Sequence, residues 1–317
     1  MIHMSPSELA AQIGEGLLSF PVTHFNHDRS LDEGGFRQHI AWLLQWKPTA
    51  VFAAGGTGEF FSLSPTEVER VVKAGVEEVR GAVPVVAGCG YGVSLASESA
   101  GRAEAAGADG ILLLPPYLVN ADQEGLVAHI TAVCKSTTLG VIYYSRDNAV
   151  LDEESLATLC DRCPNLIGYK DGIGDFELLM RVRAKMGDRL VYIGGVPTAE
   201  TVAIPYLDVG INTYSSAIFN FLPGFAQDFY AAVQRRDHAA VSGAMKTFIL
   251  PYLALRNRGK GYAVSIVKAG LETIGRSAGP VRPPLRDLTA SERGELSHLV
   301  VALLAARGEP AERRKAV

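Results

Sequence analysis

The sequence predicts a (β/α)8 TIM barrel with a C-terminal helical extension. Three observations lead there. Eight short apolar runs alternate with helical patterns from residue 16 onward. Each run is almost unbroken in apolar residues, as parallel strands covered on both faces are. After residue 236 the strand-like runs stop and only helical patterns continue, so we divide the chain into a (β/α)8 barrel, 1–236, and a helical extension packed on it, 237–317. Two architectures accept such alternation, an open doubly wound sheet and a closed barrel. Eight units at this length fit the barrel, and no G-x-G-x-x-G follows the first run to mark a dinucleotide-binding sheet.

In chain order the strands are read at "GLLSFPVT" (16–23), "AVFAAG" (50–55), "VPVVAGC" (83–89), "GILLLP" (110–115), "LGVIYYS" (139–145), "LIGYKD" (166–171), "LVYIGG" (190–195) and "GINTYSS" (210–216). The clearest helix between them is 64–81, where Val68, Val71, Val72, Val76 and Val79 recur at three and four residues. Ser64 stands as its cap, Pro65 at its first position and Glu67 three residues after the cap. Residues 94–109 and 121–135 follow the same pattern. Beyond 236, "DHAAVSGAMKTFILPYLALRN", "YAVSIVKAGLETIG" and "SERGELSHLVVALLAARG" are helical.

Composition narrows the function. A net charge of −4 offers no basic surface for nucleic acid or anionic membrane, and the basic "AERRKAV" (311–317) reads as a frayed end. No secretory signal and no membrane-length apolar run are visible. Four scattered cysteines make no disulfide framework, so a cytoplasmic protein is expected. Cys160 and Cys163 form a lone C-x-x-C with no second pair or nearby histidine, and we assign it no metal or redox use. His24 and His27, spaced H-x-x-H, lack a third ligand and are read as loop residues, one of them near the substrate.

In a barrel of this kind chemistry sits at the C-terminal ends of the strands. Lys170 is the only lysine at any of those ends. It is either a rim lysine paired to Asp171 or Asp175, or a desolvated amine able to attack a ketone and form a Schiff base. Tyr143, at the end of the preceding strand, is a core plug or a proton carrier beside that lysine. Tyr144 is expected on the opposite face, between barrel and helices. "GGTGE" supplies Gly55, Gly56 and Gly58 around Thr57, a loop able to point backbone N–H groups at a carboxylate or simply to turn tightly. Glu59 is read as a brace for that turn.

Taken together, "GGTGE", the tyrosine after strand five and "YKD" after strand six resemble the dihydrodipicolinate synthase / N-acetylneuraminate lyase superfamily. The resemblance covers nearly the whole chain, including "PVRPPLRDL" (280–288). It implies that Lys170 forms a Schiff base with a 2-keto acid, that Tyr143 relays protons, and that Gly56, Thr57 and Gly58 hold the keto acid's carboxylate. It further implies no metal or organic cofactor and a homo-oligomer, dimer or tetramer. There are departures: the strand-two motif has one hydroxyl residue instead of two, and Leu118 stands where the synthases place an interface tyrosine. "LLSFPVTHF", "AAGGTGEFFSLSP", "YYSRDNAV", "KDGIGDFE" and "TYSSAIFNF" instead resemble a branch of decarboxylating dehydratases acting on keto sugar diacids. Arg146, Asn148, Ser215 and Ser216 are then the candidates for the substrate's distal end. A Schiff-base 2-keto acid aldolase or dihydrodipicolinate synthase-like enzyme and a non-catalytic sugar-acid sensor remain the alternatives.

Overall fold

The structure, a computed structural model, describes residues 4–309; the basic end at 311–317 lies outside the described residues. Its first element, α1 (Pro6–Ile13), precedes the barrel and is absent from the sequence reading above. The signals for it exist: Ser5 and Glu8 form a reciprocal capping box and Pro6 occupies the first turn. At eight residues it is too short for periodicity to expose. Its Leu9 and Ile13 are fully buried. Leu9 seats on the N-terminal ends of the strands, where a Cβ on Gly110 would stand 2.4 Å from its Cδ2. The helix thereby closes the end of the barrel opposite the one where chemistry is expected.

The eight apolar runs become eight parallel strands, hydrogen-bonded in chain order and closed on themselves. They are β1 (Leu17–Ser19), β2 (Ala50–Ala53), β3 (Val85–Cys89), β4 (Gly110–Leu113), β5 (Gly140–Ser145), β6 (Leu166–Asp171), β7 (Val191–Gly194) and β8 (Thr213–Ser216). β8 pairs back onto β1, with Leu18 opposite Ser215, so no sheet edge remains. Every strand residue is buried except Val191 and Ser215, which are partly so. That double coverage is why the sequence shows runs and not alternation. β1 is shorter than its run, because residues 20–23 have other hydrogen-bond partners. The Val22 amide donates to Asn220 Oδ1 (3.0 Å) and the Thr23 hydroxyl to the Gly58 carbonyl (2.7 Å).

Around the strands lie α2 (Glu33–Leu44), α3 (Pro65–Val79), α4 (Val93–Ala105), α5 (Gln123–Lys135), α6 (Glu153–Arg162), α7 (Phe176–Met186), α8 (Ala203–Asp208) and α9 (Pro223–Gln234). α3 starts as its sequence requires, with Ser64 and Glu67 capping each other. It buries Val68, Val71, Val72 and Val79 against the sheet. After α9, Asp237 caps α10 (His238–Ala244), which runs through a π-turn into α11 (Leu250–Arg256). α12 (Tyr262–Thr273) and α13 (Ala290–Ala306) follow.

The extension is fastened to the barrel by a fully buried ion pair. Lys268 of α12 lies 2.8 Å from Glu59, which follows the glycine loop after β2. Lys268 also donates to the Pro280 carbonyl (3.0 Å), and the second Glu59 oxygen accepts from the Arg282 amide (3.1 Å). Arg282 continues the strap, donating to the carbonyls of Arg29 and Ser62 and pairing with Glu67 at 2.6 Å. Glu59 itself holds a left-handed backbone (φ 55°), which an ordinary residue adopts only when its surroundings demand it. Removing one partner of such a pair leaves a buried charge without compensation. Lys268→Met should therefore lower stability by about 3–5 kcal/mol in urea unfolding. The double variant Glu59→Gln/Lys268→Met should recover part of that loss.

Candidate active site

A cavity of about 420 Å³ opens at the C-terminal ends of the strands. Lys170 enters it from β6, Tyr144 and Arg146 from β5 and the residues after it, Gly56 and Thr57 from the loop after β2, and Ser215 from β8. Phe20 and Leu112 supply apolar wall. Tyr252, Arg256 and Val264 come from α11 and α12, so the extension closes part of the site.

Lys170 is buried, with its Nζ 3.7 Å from the centre of the Tyr144 ring and 5.0 Å from that of Phe20. Room for it depends on Gly195, where a Cβ would lie 2.6 Å from Nζ. Neither sequence-suggested counter-ion reaches it. Asp171 faces the helices, accepting from the amides of Ile173 (3.0 Å) and Gly174 (3.0 Å) and from the Tyr206 hydroxyl (2.6 Å). Asp175 caps α7 through the Leu178 amide. Burial is the main influence on the Lys170 amine and, with Arg146 nearby, holds its pKa below the ordinary lysine value despite the opposing pull of Tyr144. A lysine in that state exposes a neutral, nucleophilic fraction nearer neutral pH.

The tyrosine beside this lysine is Tyr144, and the expectation for Tyr143 is corrected. Parallel neighbours in register share a face, and the register pairs Tyr144 with Lys170 and Tyr143 with Tyr169. Tyr143 accordingly points toward the helices, buried, with its hydroxyl donating to the Ala149 carbonyl. Burial pushes its phenol far up, which suits packing and not proton transfer. Tyr144 donates to the Gly195 carbonyl (2.6 Å) and accepts from Arg146 Nη1 (3.2 Å). Burial raises its phenol, but Lys170 and Arg146 together outweigh that and hold it below the usual tyrosine range. Counting both residues back from their strand ends, Ser145 and Asp171, places each one position in and would have revealed the shared face.

The remaining sequence candidates divide. Gly56 and Thr57 line the cavity, and among the described residues no acceptor takes either backbone N–H. Such a pair of free donors suits an anion. Gly58 does not line it; its carbonyl holds Thr23, and a Cβ there would stand 3.1 Å from the Ala54 Cα, so the glycine shapes the turn. Arg146 lines the cavity, paired with Asp147 at 3.0 Å. Asn148 lies outside, its amide donating to the Val119 carbonyl and tying the loops after β4 and β5 together. Ser215 faces the cavity, whereas the next residue, Ser216, is turned away and donates to the buried Glu200 (2.5 Å). His24 is buried 5.0 Å from the His39 ring, and burial takes its pKa down to about 4; His27 is exposed. Neither histidine lines the cavity. Cys160 and Cys163 are buried free thiols. Tyr117, Thr198, Tyr252 and Arg256 also line the site and are missing from the sequence reading. Local pattern carries no sign of the last two, because the packing of the extension brings them there.

A buried lysine on the sixth strand, a tyrosine on the fifth and a loop with free N–H groups on the second form an arrangement able to carry Schiff-base chemistry. Residues 14–303 match the model of the dihydrodipicolinate synthetase family, and the chain belongs to it. It is 63% identical over 306 residues to a probable 5-dehydro-4-deoxyglucarate dehydratase of Bradyrhizobium sp. (strain BTAi1), an alignment spanning 96% of this chain and 98% of that one. Among solved structures it resembles dihydrodipicolinate synthase from Oceanobacillus iheyensis (TM-score 0.87, 25% identity, covering 95% of this chain and 100% of that one). It also resembles an Escherichia coli K12 prophage protein of the same family solved with pyruvate (TM-score 0.81, 26% identity, covering 91% and 98%).

The depressed Lys170 amine has a kinetic signature. Borohydride trapping of pyruvate on the protein should speed up as pH rises and level off below the ordinary lysine value of 10.5. A rate still climbing beyond that value would mean an unperturbed amine.

Proposed function

We propose that this protein is a decarboxylating dehydratase that converts 5-dehydro-4-deoxy-D-glucarate to 2,5-dioxopentanoate, water and CO2 through a Schiff base on Lys170. The observation that carries the reading is a buried lysine without a carboxylate partner, set against a tyrosine whose phenol two cations hold below its usual range. The near-full-length likeness to relatives named for that activity supports the substrate.

The neutral Lys170 amine attacks the C5 ketone, and loss of water gives the imine. The C6 carboxylate beside it rests on the free N–H groups of Gly56 and Thr57. Tyr144 gives its proton to the departing water as the iminium forms; the iminium acidifies C4, and the phenolate so formed takes a C4 proton, leaving an enamine. That electron pair forms the C3–C4 double bond as the C3 hydroxyl departs, and the Tyr144 phenol returns its proton to make the leaving group water. The iminium is now conjugated to C3. The C1–C2 bond electrons move into a C2–C3 double bond as CO2 leaves, and the π electrons shift onto nitrogen. Protonation at C4, conversion of the C2 enol to an aldehyde and hydrolysis release the product and free Lys170. These steps draw on side chains and substrate alone, with neither a metal nor an organic cofactor.

We further place the protein in the cytoplasm as a homo-oligomer, dimer or tetramer. Among the described residues no helix is long and apolar enough to cross a membrane. The loop after β4 carries Leu118 and Val119 exposed at its tip, a surface suited to covering by another subunit.

Mass spectrometry of the products from 5-dehydro-4-deoxy-D-glucarate tests the reaction: loss of both water and CO2 is expected, and pyruvate plus an aldehyde would instead mean an aldolase. Lys170→Ala should abolish turnover and imine trapping. Tyr144→Phe should lower kcat by roughly 10²–10⁴-fold with little change in KM, while Tyr143→Phe stays within a few-fold of the parent. The reverse ranking of the two tyrosines would overturn the assignment of Tyr144.

A further inference from the structure

The cavity carries more positive charge than its own residues neutralise. Lys170, Arg146 and Arg256 face it, and Asp147 is the sole carboxylate among the lining residues. Asp147 is taken up by Arg146, so Lys170 and Arg256 are left uncompensated. Arg256, the last residue of α11, is the less expected of the two, since it comes from the extension and not from a strand end.

Its hydrogen bonds leave a specific vacancy. Nη1 donates to the Thr198 hydroxyl (2.6 Å), and Nε and Nη2 both donate to the Asn257 side-chain carbonyl (3.2 and 2.9 Å). A guanidinium has five N–H groups. One N–H on each terminal nitrogen is therefore free to meet a carboxylate. Neither partner is charged, and among the described residues no carboxylate pairs with Arg256. The acidic group that influences it is Glu200, which is buried and already accepts from Ser216. Burial pushes the Glu200 carboxyl above its ordinary range, which weakens it as a counter-ion. Arg256 is also repelled by Arg146 across the same space. Thr198, to which it is tied, holds a left-handed backbone (φ 58°), so the anchor is a strained, built position and not a loose surface contact.

We propose that Arg256 determines specificity at the far end of the site: its two free N–H groups take a second carboxylate, so the cavity selects 2-keto diacids over 2-keto monoacids. The role rests on the reading of Lys170 as the Schiff-base lysine. It gives the extension a part in recognition, because the carboxylate next to the ketone is held by the β2 loop and the remote one by α11. It also separates two tasks. Arg146 is committed to Tyr144 and Asp147, near the proton transfers, while Arg256 meets the substrate through its free N–H groups.

The test uses two inert probes of the substrate's length, 2-oxoadipate and 2-oxohexanoate, which differ only in a terminal carboxylate against a terminal methyl. Borohydride trapping on the full chain is followed against probe concentration. The parent protein should be half-saturated by 2-oxoadipate at a concentration at least tenfold lower than by 2-oxohexanoate. Arg256→Gln should raise the 2-oxoadipate value roughly 10- to 100-fold, the loss of a charge-assisted pair, with far less effect on 2-oxohexanoate. Arg256→Lys, which keeps the charge without the fork, should fall between. Equal effects of Arg256→Gln on both probes, or an undiminished preference for the diacid, would overturn the proposal. No adduct with either probe in the parent protein would remove the Lys170 reading and this proposal with it. Selective trapping without turnover of 5-dehydro-4-deoxy-D-glucarate would instead remove only the proposed reaction, leaving Arg256 in place.

Discussion

The buried contact between Glu59 and Lys268 is the constraint on which the site depends. Both groups are cut off from water, so their mutual attraction must offset two desolvation penalties, and it does so only with further hydrogen bonds in place. Those bonds come from the Pro280 carbonyl and the Arg282 amide, which draw the 280–288 segment onto the mouth of the barrel. Glu59 ends the glycine loop after β2, so the same contact fixes the left-handed turn that leaves Gly56 and Thr57 facing the cavity. Because Lys268 sits on α12, it also holds in place the helical layer that roofs the pocket.

The molecule treats two buried lysines in opposite ways. Lys268 is compensated by a carboxylate and serves the architecture. Lys170 has only aromatic faces and a phenol beside it, while the nearby acids are engaged elsewhere, Asp171 by loop amides and Tyr206 and Asp175 as a helix cap. Burial depresses both amines, but only Lys170 opens onto a cavity where a neutral amine can meet a ketone. Desolvation thus sets up reactivity at one lysine and is absorbed by an ion pair at the other.

The cavity is built from two parts of the chain. Strand ends bring Tyr144 and Lys170 together, since the closed barrel forces them onto one face at adjacent positions. The extension adds the remote cation and much of the apolar roof. A barrel without it would retain the lysine and the tyrosine yet present an open, wetter pocket, in which charges bind a polar substrate less selectively.

The eight-strand barrel, the lysine and the glycine loop were legible because each follows from local chemistry: unbroken apolar runs, a rare cation at a strand end, three glycines in one turn. The sequence also suggested that Glu59 braces that turn, and the structure supplies the partner. What it left ambiguous was the face on which a residue lies, because both sides of a fully buried strand are apolar and no alternation marks the inside. Tyr143 and Tyr144 look alike in such a run, as do Ser215 and Ser216, and only the register between strands separates them. Arg256 and Tyr252 were out of reach for a second reason. They belong to a helix distant in the chain from the strand ends, and their place at the cavity is set by how the extension packs on the barrel, which only the closed tertiary structure brings about.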